Sequence, residues 1–431
     1  MIHLVFLRFS GEISISNIYF GLDSYGFMPN GTFSFRADSS NCKNMIIGML
    51  NPREIENVYR EEFKTSLVCN YRMHFALMNS TSLNWSEMIT SKIVLKPVII
   101  NCDSQQKKFV LNYNARNLDS FLDYRYIPSR MITIVFIIMF SLAFFFWIWN
   151  MVQFYSNITK LSILILFSLL FSLLNLIIYS QQLYEMSNND NSKGFIFFHD
   201  IASIISRSIL FIAVILCTSG WCLLHNELSP IFTLLTVFTS FSFFICSTLM
   251  STIELGLWLF PMTLLTLAFV VGLLKLFAHS IDQAELLILA HMYSIYRAGI
   301  DPSSTPIYGR HKLYQRLQQF VFIYFLIIMI RAIISLFADA DFWVLDLIDQ
   351  IADFLLSIVF VIGFRVNPEI AEGYVEIGDE FISVDELRSF EIADESLQRQ
   401  DLAQWNSGMQ LPPPPKLKSN KVYETDNIIS N

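Results

Sequence analysis

The chain has 431 residues with a formal net charge of -8, and 54% of its residues are hydrophobic while 15% are charged. A mean hydropathy of +0.48 lies outside the range of soluble globular domains and indicates a membrane protein. The acidic balance excludes nucleic acid as a partner, because phosphate binding needs a basic field that releases counterions.

Residues 1–127 precede the first long apolar segment and predict a domain of their own. They contain short runs of β-branched and aromatic residues, separated by Gly, Pro and Asn, which are typical of strands. We expect a small antiparallel β-sandwich built on four such runs: 17–20, 32–36, 93–101 and 108–113.

Three cysteines, Cys42, Cys69 and Cys102, lie in this N-terminal region. In an oxidising compartment, one disulfide that closes a loop of this size stabilises a domain by about 2–4 kcal/mol. We expect Cys69 to pair with Cys102, which leaves Cys42 free or as an alternative partner. The spacing of Cys and His residues fits no zinc site, so we expect no metal and no cofactor.

Residues 128–365 contain seven apolar segments, each long enough to cross the ~30 Å hydrocarbon layer of a bilayer. We therefore expect an α-helical bundle of seven transmembrane helices. The predicted spans are 131–155, 161–184, 201–224, 229–250, 254–279, 318–338 and 342–364. Residues 366–431 are polar and rich in carboxylates, which predicts a disordered cytoplasmic tail.

Charged residues in the short loops predict the orientation of the helices. Five basic residues fall on one side of the predicted spans and one, Lys193, falls on the other. Because basic loops stay in the cytoplasm, the N-terminal domain should be luminal or extracellular. The three glycosylation sequons of that domain, at Asn30, Asn79 and Asn84, agree. The five cytoplasmic basic residues are Lys160, Arg297, Arg310, Lys312 and Arg316.

The predicted tail contains a short sorting signal of the tyrosine-x-x-bulky-apolar form. Tyr374 and Ile377 supply its two defining positions, and a run of acidic residues surrounds them. Coat adaptors bind such a segment as an extended strand, so the tail is expected to bind coat adaptors.

Ionisable residues at bilayer depth cost about 2.5–3.5 kcal/mol each on insertion, so their placement is informative. Arg207, Arg331 and Asp349 lie at similar depth, on the order of 10 Å below the luminal boundary of their spans. Asp346 and Asp353 share a helix face with Asp349. Two interpretations remain open: these five residues form the polar floor of a luminal-side pocket, or they are ion pairs that join helices.

Several short motifs occur in the order and spacing of one known family. The motifs are Tyr25–Gly31, Ile100–Cys102, Tyr113–Asn114, Ser219–Trp221, Ser251–Glu254 and Gly363–Arg365. Together they resemble the GOLD-domain seven-transmembrane proteins, also called the lung seven-transmembrane receptors. The resemblance implies a GOLD-like luminal β-sandwich, a Golgi or endosomal location, a role in membrane trafficking and a cleaved signal peptide upstream of Met1. It also implies that members of the family have a basic residue at the position of Arg207, an arginine at that of Arg331 and an acidic residue at that of Asp349.

We therefore expect a multi-pass protein of Golgi or endosomal membranes, with membrane lipids and an unknown luminal cargo or ligand as partners. Sorting or escort of that cargo is the first functional hypothesis. The alternatives are a receptor at the cell surface for an unknown ligand and an ion-conducting or transport protein. We expect no enzymatic activity, because the histidines are spread over both membrane faces and cannot surround one zinc ion.

Overall fold

The protein is described by a computed structural model. It describes residues 8–15, 19–21, 24–38, 45–51, 75–78, 82–101, 107–118, 120–188, 193–221, 228–252, 259–337, 341–365, 381–383, 402–406, 409, 411–413 and 415–418. Four predicted features lie outside these ranges: the Cys69–Cys102 disulfide, Cys42, the sequon at Asn79, and the sorting signal at Tyr374 and Ile377.

The N-terminal region contains two antiparallel sheets. One sheet has four strands in the order β1-β9-β4-β7, and the other has five strands, with β2, β3 and β5 beside β8 and β6 beside β5. The strands are β1 (Arg8–Ile15), β2 (Tyr19–Gly21), β3 (Tyr25–Phe27), β4 (Gly31–Asp38), β5 (Met45–Leu50), β6 (Phe75–Met78), β7 (Ser82–Ile89), β8 (Ile93–Asn101) and β9 (Lys107–Arg116).

Residues from both sheets share one hydrophobic core. In β4, Phe33, Phe35 and Ala37 are buried while the residues between them are more exposed, which is the period-two pattern of a strand with one covered face. Phe35 lies opposite Tyr113 of β9, and their rings are 4.7 Å apart between centroids. Side chains of the second sheet, including Ile99 of β8, complete this core.

Seven long helices follow in the part of the chain that the structure describes. They are α1 (Ile127–Gln153), α2 (Lys160–Asn188), α3 (Lys193–Thr218), α4 (Pro230–Thr252), α5 (Leu259–Arg297), α6 (Pro306–Phe337) and α7 (Phe342–Gly363). The five helices α1 to α5 are long and apolar enough to cross a membrane, as expected of a multi-pass membrane protein.

All seven helices contribute to one bundle core. Trp147 of α1 is fully buried, and its indole nitrogen donates a hydrogen bond of 3.0 Å to the Ser162 carbonyl of α2. The outer face carries large apolar side chains, with Met131 exposed by 71% and Trp149 by 70%. Apolar side chains on both faces are the pattern of helices surrounded by lipid.

Three helices, α3, α5 and α6, differ from the predicted spans by more than four residues at one or both ends. Helix α6 begins at Pro306, twelve residues before the predicted 318–338. Helix α3 begins eight residues before the predicted 201–224, and its first two turns include the polar residues His199 and Asp200. It ends at Thr218, because Gly220 has a positive φ of 83° and such a glycine commonly ends a helix. Helix α5 continues 18 residues beyond the predicted span 254–279. At ~1.5 Å per residue its length is about 58 Å, which exceeds the hydrocarbon thickness of a bilayer.

Parts of the predicted disordered tail are ordered. Strands β10 (Phe381–Ser383) and β11 (Lys416–Lys418) pair in parallel, and Ala403 forms a bridge with Ile300. For the tail as a whole, disorder stays a prediction. Composition reports the polarity of a segment but contains no information about a complementary segment elsewhere in the chain. Here β10 and β11 complement each other, and the turn between α5 and α6 complements Ala403.

Candidate functional site

Three carboxylates lie on one face of α7 and point into the bundle. Asp346, Asp349 and Asp353 are spaced at i, i+3 and i+7, which places them on the same side of a helix. The side chains of Asp349 and Asp353 are 14% and 21% exposed. Together with Arg207 of α3 and Arg331 of α6, these three residues are called the carboxylate network below.

Asp349 joins three helices. One of its carboxylate oxygens accepts a hydrogen bond of 3.1 Å from Nη2 of Arg207, and the other lies 3.1 Å from Nε of Arg331. Because each arginine belongs to a different helix, this single carboxylate connects α7 to both α3 and α6.

Asp353, one turn further along α7, has two different partners. Its Oδ2 lies 3.6 Å from Nε of Arg207, and its Oδ1 accepts a hydrogen bond of 3.1 Å from the Tyr324 hydroxyl. Asp349 and Asp353 therefore share the Arg207 guanidinium, which is one-third exposed.

Asp346 accepts its hydrogen bonds from hydroxyl groups and not from the arginines. The Ser129 hydroxyl of α1 donates to it at 2.7 Å, and the Tyr179 hydroxyl of α2 also donates to it. The Tyr179 ring is stacked on His199 with 4.7 Å between centroids. Within the carboxylate network, three carboxyl groups therefore accompany two guanidinium groups.

Several polar atoms around the network are buried and have no aligned hydrogen bond among the described residues. They include Nε of Arg207, Nε of Arg331, Oε1 of Gln350 and Nδ1 of His199. Both arginine nitrogens lie near carboxylates, Nε of Arg207 at 3.6 Å from Asp353 and Nε of Arg331 at 3.1 Å from Asp349, as ion pairs without a hydrogen bond. Buried polar groups are usually paired, so this part of the bundle has capacity for a further polar group.

The network borders a small apolar crevice with a cavity volume of about 10 Å³, which is roughly the room that one water molecule needs. Tyr324 lines this crevice and also donates to Asp353, so it separates the polar residues from the apolar ones. The other lining residues are Phe211, Val214, Ile215, Leu273, Phe277, Val321 and Leu356.

Above the network, a junction joins the N-terminal sheets to α1. The Asp123 carboxylate accepts hydrogen bonds from the backbone amides of Gly26 at 2.9 Å and Arg125 at 2.8 Å. It also accepts from the Arg125 guanidinium, at 2.6 Å from Nη2. Asn117 contacts both chain segments, because its amide accepts from the Met28 amide and donates to the Gly26 carbonyl. We call Gly26, Asn117, Asp123 and Arg125 the junction residues.

Tyr25 adds to this junction through its hydroxyl group, which donates to the carbonyls of Phe121 and Leu122 at 3.2 Å. Burial, and after it the charge of Asp123, raises the pKa of Tyr25 well above its usual value. The hydroxyl therefore keeps its proton over the whole physiological range, and it remains a donor to both carbonyls.

The junction also contacts the bundle. The Arg125 guanidinium lies 4.4 Å from the centre of the Phe342 ring at the start of α7, and Tyr126 stacks on the same ring at 4.8 Å. The Phe121 amide donates to the Ser187 carbonyl at the end of α2. Ser129 follows Arg125 by one helical turn and donates to Asp346, so the junction and the carboxylate network are connected along α1.

The structure thus brings Arg207, Arg331, Asp349 and Asp353 into direct contact, and it places Asp346 beside hydroxyl groups instead. Whether this region binds a ligand stays a prediction. Two predicted glycosylation sites are accessible: Asn30 is exposed in the turn before β4, and Asn84 is exposed on β7.

Sequence reasoning missed the junction residues and Tyr179. One signal for the junction was present, because Asp123 and Arg125 stand directly before the first apolar span. A charged pair at that position is also typical of an ordinary membrane boundary, and its partner Gly26 lies almost a hundred residues away in the sequence.

No protein-family model matches this chain, and no curated protein matches it. The likeness to the GOLD-domain family therefore rests on the short motifs of the sequence.

Proposed function

We propose that this chain is a seven-transmembrane protein of Golgi or endosomal membranes that sorts or escorts luminal cargo, with a GOLD-like β-sandwich as the cargo-binding domain. The observation that carries the proposal is the junction. Binding of cargo to the N-terminal sheets would be transmitted to the helices through this junction, because it contacts the ends of α1, α2 and α7.

The proposed topology includes α6 and α7 as the sixth and seventh membrane spans. The network supports this assignment, because pairing with Arg207 and Arg331 turns the polar face of α7 away from lipid. In this orientation the sheets are luminal. The basic ends of α5 and α6 are cytoplasmic together with the tail.

The two-sheet core supports a sandwich as the cargo-binding domain. Buried Phe33 and Phe35 of one sheet and Ile99 of the other belong to the same core, so the outward faces of the sheets remain accessible to a luminal protein. The proposed signal at Tyr374 and Ile377 supplies the cytoplasmic half of a sorting function through coat adaptors.

Localisation of the tagged full-length chain, expressed behind a signal sequence, tests this function. We expect Golgi or endosomal residence for the unchanged protein and a shift to the plasma membrane for Tyr374→Ala. The matched control is Tyr423→Ala, which removes another tail tyrosine and should leave the location unchanged. Stable plasma-membrane residence of all three proteins would contradict the trafficking function and favour a cell-surface receptor.

A second candidate function is ligand reception or ion transport through the bundle. It is favoured by the buried polar atoms of the network that have no aligned hydrogen bond and by the excess of carboxyl over guanidinium groups there. Patch-clamp recording of the purified protein in liposomes tests the transport version. A current that disappears in Asp346→Asn would support it, and an electrically silent protein would exclude ion conduction.

A further inference from the structure

The C-terminal half of α5 and the first turns of α6 form an apolar groove on the side of the bundle where the tail begins. Its buried residues are Ala284, Ile288, Leu289, Met292, Ile295, Ile307 and Tyr314. Leu411 of the tail packs against this cluster together with Ile300 and Tyr308. The groove lies in the part of α5 that extends beyond the predicted span 254–279.

Two side chains of α5 donate hydrogen bonds to consecutive proline carbonyls of the tail. Nε2 of His291 lies 3.0 Å from the Pro412 carbonyl, and the Ser294 hydroxyl donates to the Pro413 carbonyl at 3.0 Å. A carbonyl oxygen can only accept, so Nε2 of His291 must carry the proton. His291 and Ser294 are three residues apart and therefore share one helix face.

Tail residues that precede the prolines also bind to the segment between α5 and α6. The Ala403 amide donates to the Gly299 carbonyl at 2.9 Å, and the Ala403 carbonyl accepts from the Asp301 amide at 2.9 Å. The Trp405 amide donates to the Ser304 hydroxyl at 2.9 Å. Backbone hydrogen bonds, an apolar anchor and donors for carbonyls are the three elements by which proteins bind extended peptides.

The chemistry of the groove matches a proline-rich peptide in particular. Proline has a carbonyl but no amide hydrogen, and its ring fixes φ near -65°. A segment of consecutive prolines is therefore extended before binding, and it presents acceptors that need donors such as His291 and Ser294. Since little conformational freedom is lost on binding, such segments are favourable ligands for apolar grooves with donors.

We propose that the groove between α5 and α6 is a binding site for an extended proline-rich peptide, occupied reversibly by the tail of the same chain, of which the structure describes residues 402–406, 409, 411–413 and 415. While the tail is bound, the carbonyls of Pro412 and Pro413 are engaged, and this part of the tail is not accessible to a polyproline-binding domain. This inference rests on contacts of the C-terminal half of α5 and the first turns of α6, and it does not depend on the proposed role in cargo sorting.

The test uses full-length protein in which the tail's own anchor is weakened by Leu411→Asp. The substitution lies in the tail, and a carboxylate at this position opposes burial against the apolar groove. Hydrogen exchange followed by mass spectrometry should show that the amides of Ala403 and Trp405 exchange at least about tenfold faster than in the unchanged chain. Unchanged exchange would show that Leu411 does not hold the tail, and would overturn the proposal.

The second measurement is binding of a fluorescein-labelled peptide of residues 402–418, followed by anisotropy. We expect the Leu411→Asp protein to bind it at least about tenfold more tightly than the unchanged protein, whose own tethered segment competes at high effective concentration. The same peptide with Leu411→Asp is the control and should not bind.

Adding His291→Ala and Ser294→Ala to the Leu411→Asp protein should abolish peptide binding, and retention of the peptide would overturn the assigned contacts. An unchanged unfolding temperature is required of this variant. If the released groove binds no peptide, or if released and unchanged proteins bind it equally, the tail contact is a fixed part of the fold or lies elsewhere, and the proposal fails.

Discussion

Two acidic residues, Asp123 in the junction and Asp349 in the carboxylate network, are buried in different surroundings. Asp123 is 1% exposed and accepts hydrogen bonds from two backbone amides and one guanidinium. Asp349 faces two guanidinium groups, and the Nε atoms of both arginines lack an aligned hydrogen bond. A fully paired carboxylate is expected to hold the fold, whereas an incompletely paired group leaves capacity for water or a ligand.

The largest effect is expected for Asp123→Ala. It removes the partner of the buried Arg125 guanidinium and of the Gly26 amide, and breaking a buried pair costs about 3–5 kcal/mol. The unfolding temperature of the purified protein in detergent should fall sharply. Glu87→Ala, on the exposed side of β7, is the matched control, and an equal shift in both variants would contradict a stabilising junction.

A smaller loss is expected for Asp349→Asn, of about 2–4 kcal/mol, because Arg331 loses the carboxylate paired with it and Arg207 keeps only Asp353. Asp346→Asn, on the same helix face, should change stability by about 1 kcal/mol or less, since an amide oxygen still accepts from Ser129 and Tyr179. Thermal unfolding of both variants checks this difference. Intact folding of Asp349→Asn would instead indicate that Asp349 serves ligand recognition.

Gly26→Ala is expected to cost about 1–3 kcal/mol through overpacking. A Cβ atom at this position would lie 2.4 Å from Oδ1 of Asp123 and 2.6 Å from the Tyr124 ring, so the junction would have to move. Gly309→Ala is the control, because nothing lies within 4 Å of a Cβ atom there and alanine favours a helix. We expect its unfolding temperature to rise slightly, and a fall in both variants would refute the steric explanation.

The smallest effect, about 1 kcal/mol, is expected for Arg125→Lys. The ammonium group keeps the charge but cannot bond the Asp123 carboxylate and the Ser24 carbonyl with one rigid fork. Thermal unfolding measures the change. Arg116→Lys, on the exposed end of β9, should leave the unfolding temperature unaltered, and equal losses at both positions would argue against the geometry of Arg125.

The sequence was most informative where one physical rule governs a long segment. Continuous apolar runs predicted the helices, because few other structures satisfy backbone groups in lipid. The period of the helix was enough to place Asp346, Asp349 and Asp353 on one face. Short runs of β-branched and aromatic residues likewise predicted strands β4, β8 and β9.

The sequence could not show which of these carboxylates meets which cation. That Asp346 contacts Tyr179 while Asp349 contacts two arginines depends on helix rotations within the bundle, which no local pattern encodes. The junction is invisible for the same reason, because Gly26 and Asp123 meet only after the sheets have formed. The contacts of Leu411, Pro412 and Pro413 depend on a groove whose two walls come from separate helices.

The bonds from Asn117 to Ser129 have a mechanical consequence. Asp123 binds this segment to β3 through the Gly26 amide. Tyr126 and Ser129 bind it to α7, through the Phe342 ring and the Asp346 carboxylate. Tension applied to the N-terminal sheets would therefore pass through these contacts into α1 and α7. A large molecule bound to the sheets would exert torque on the two helices.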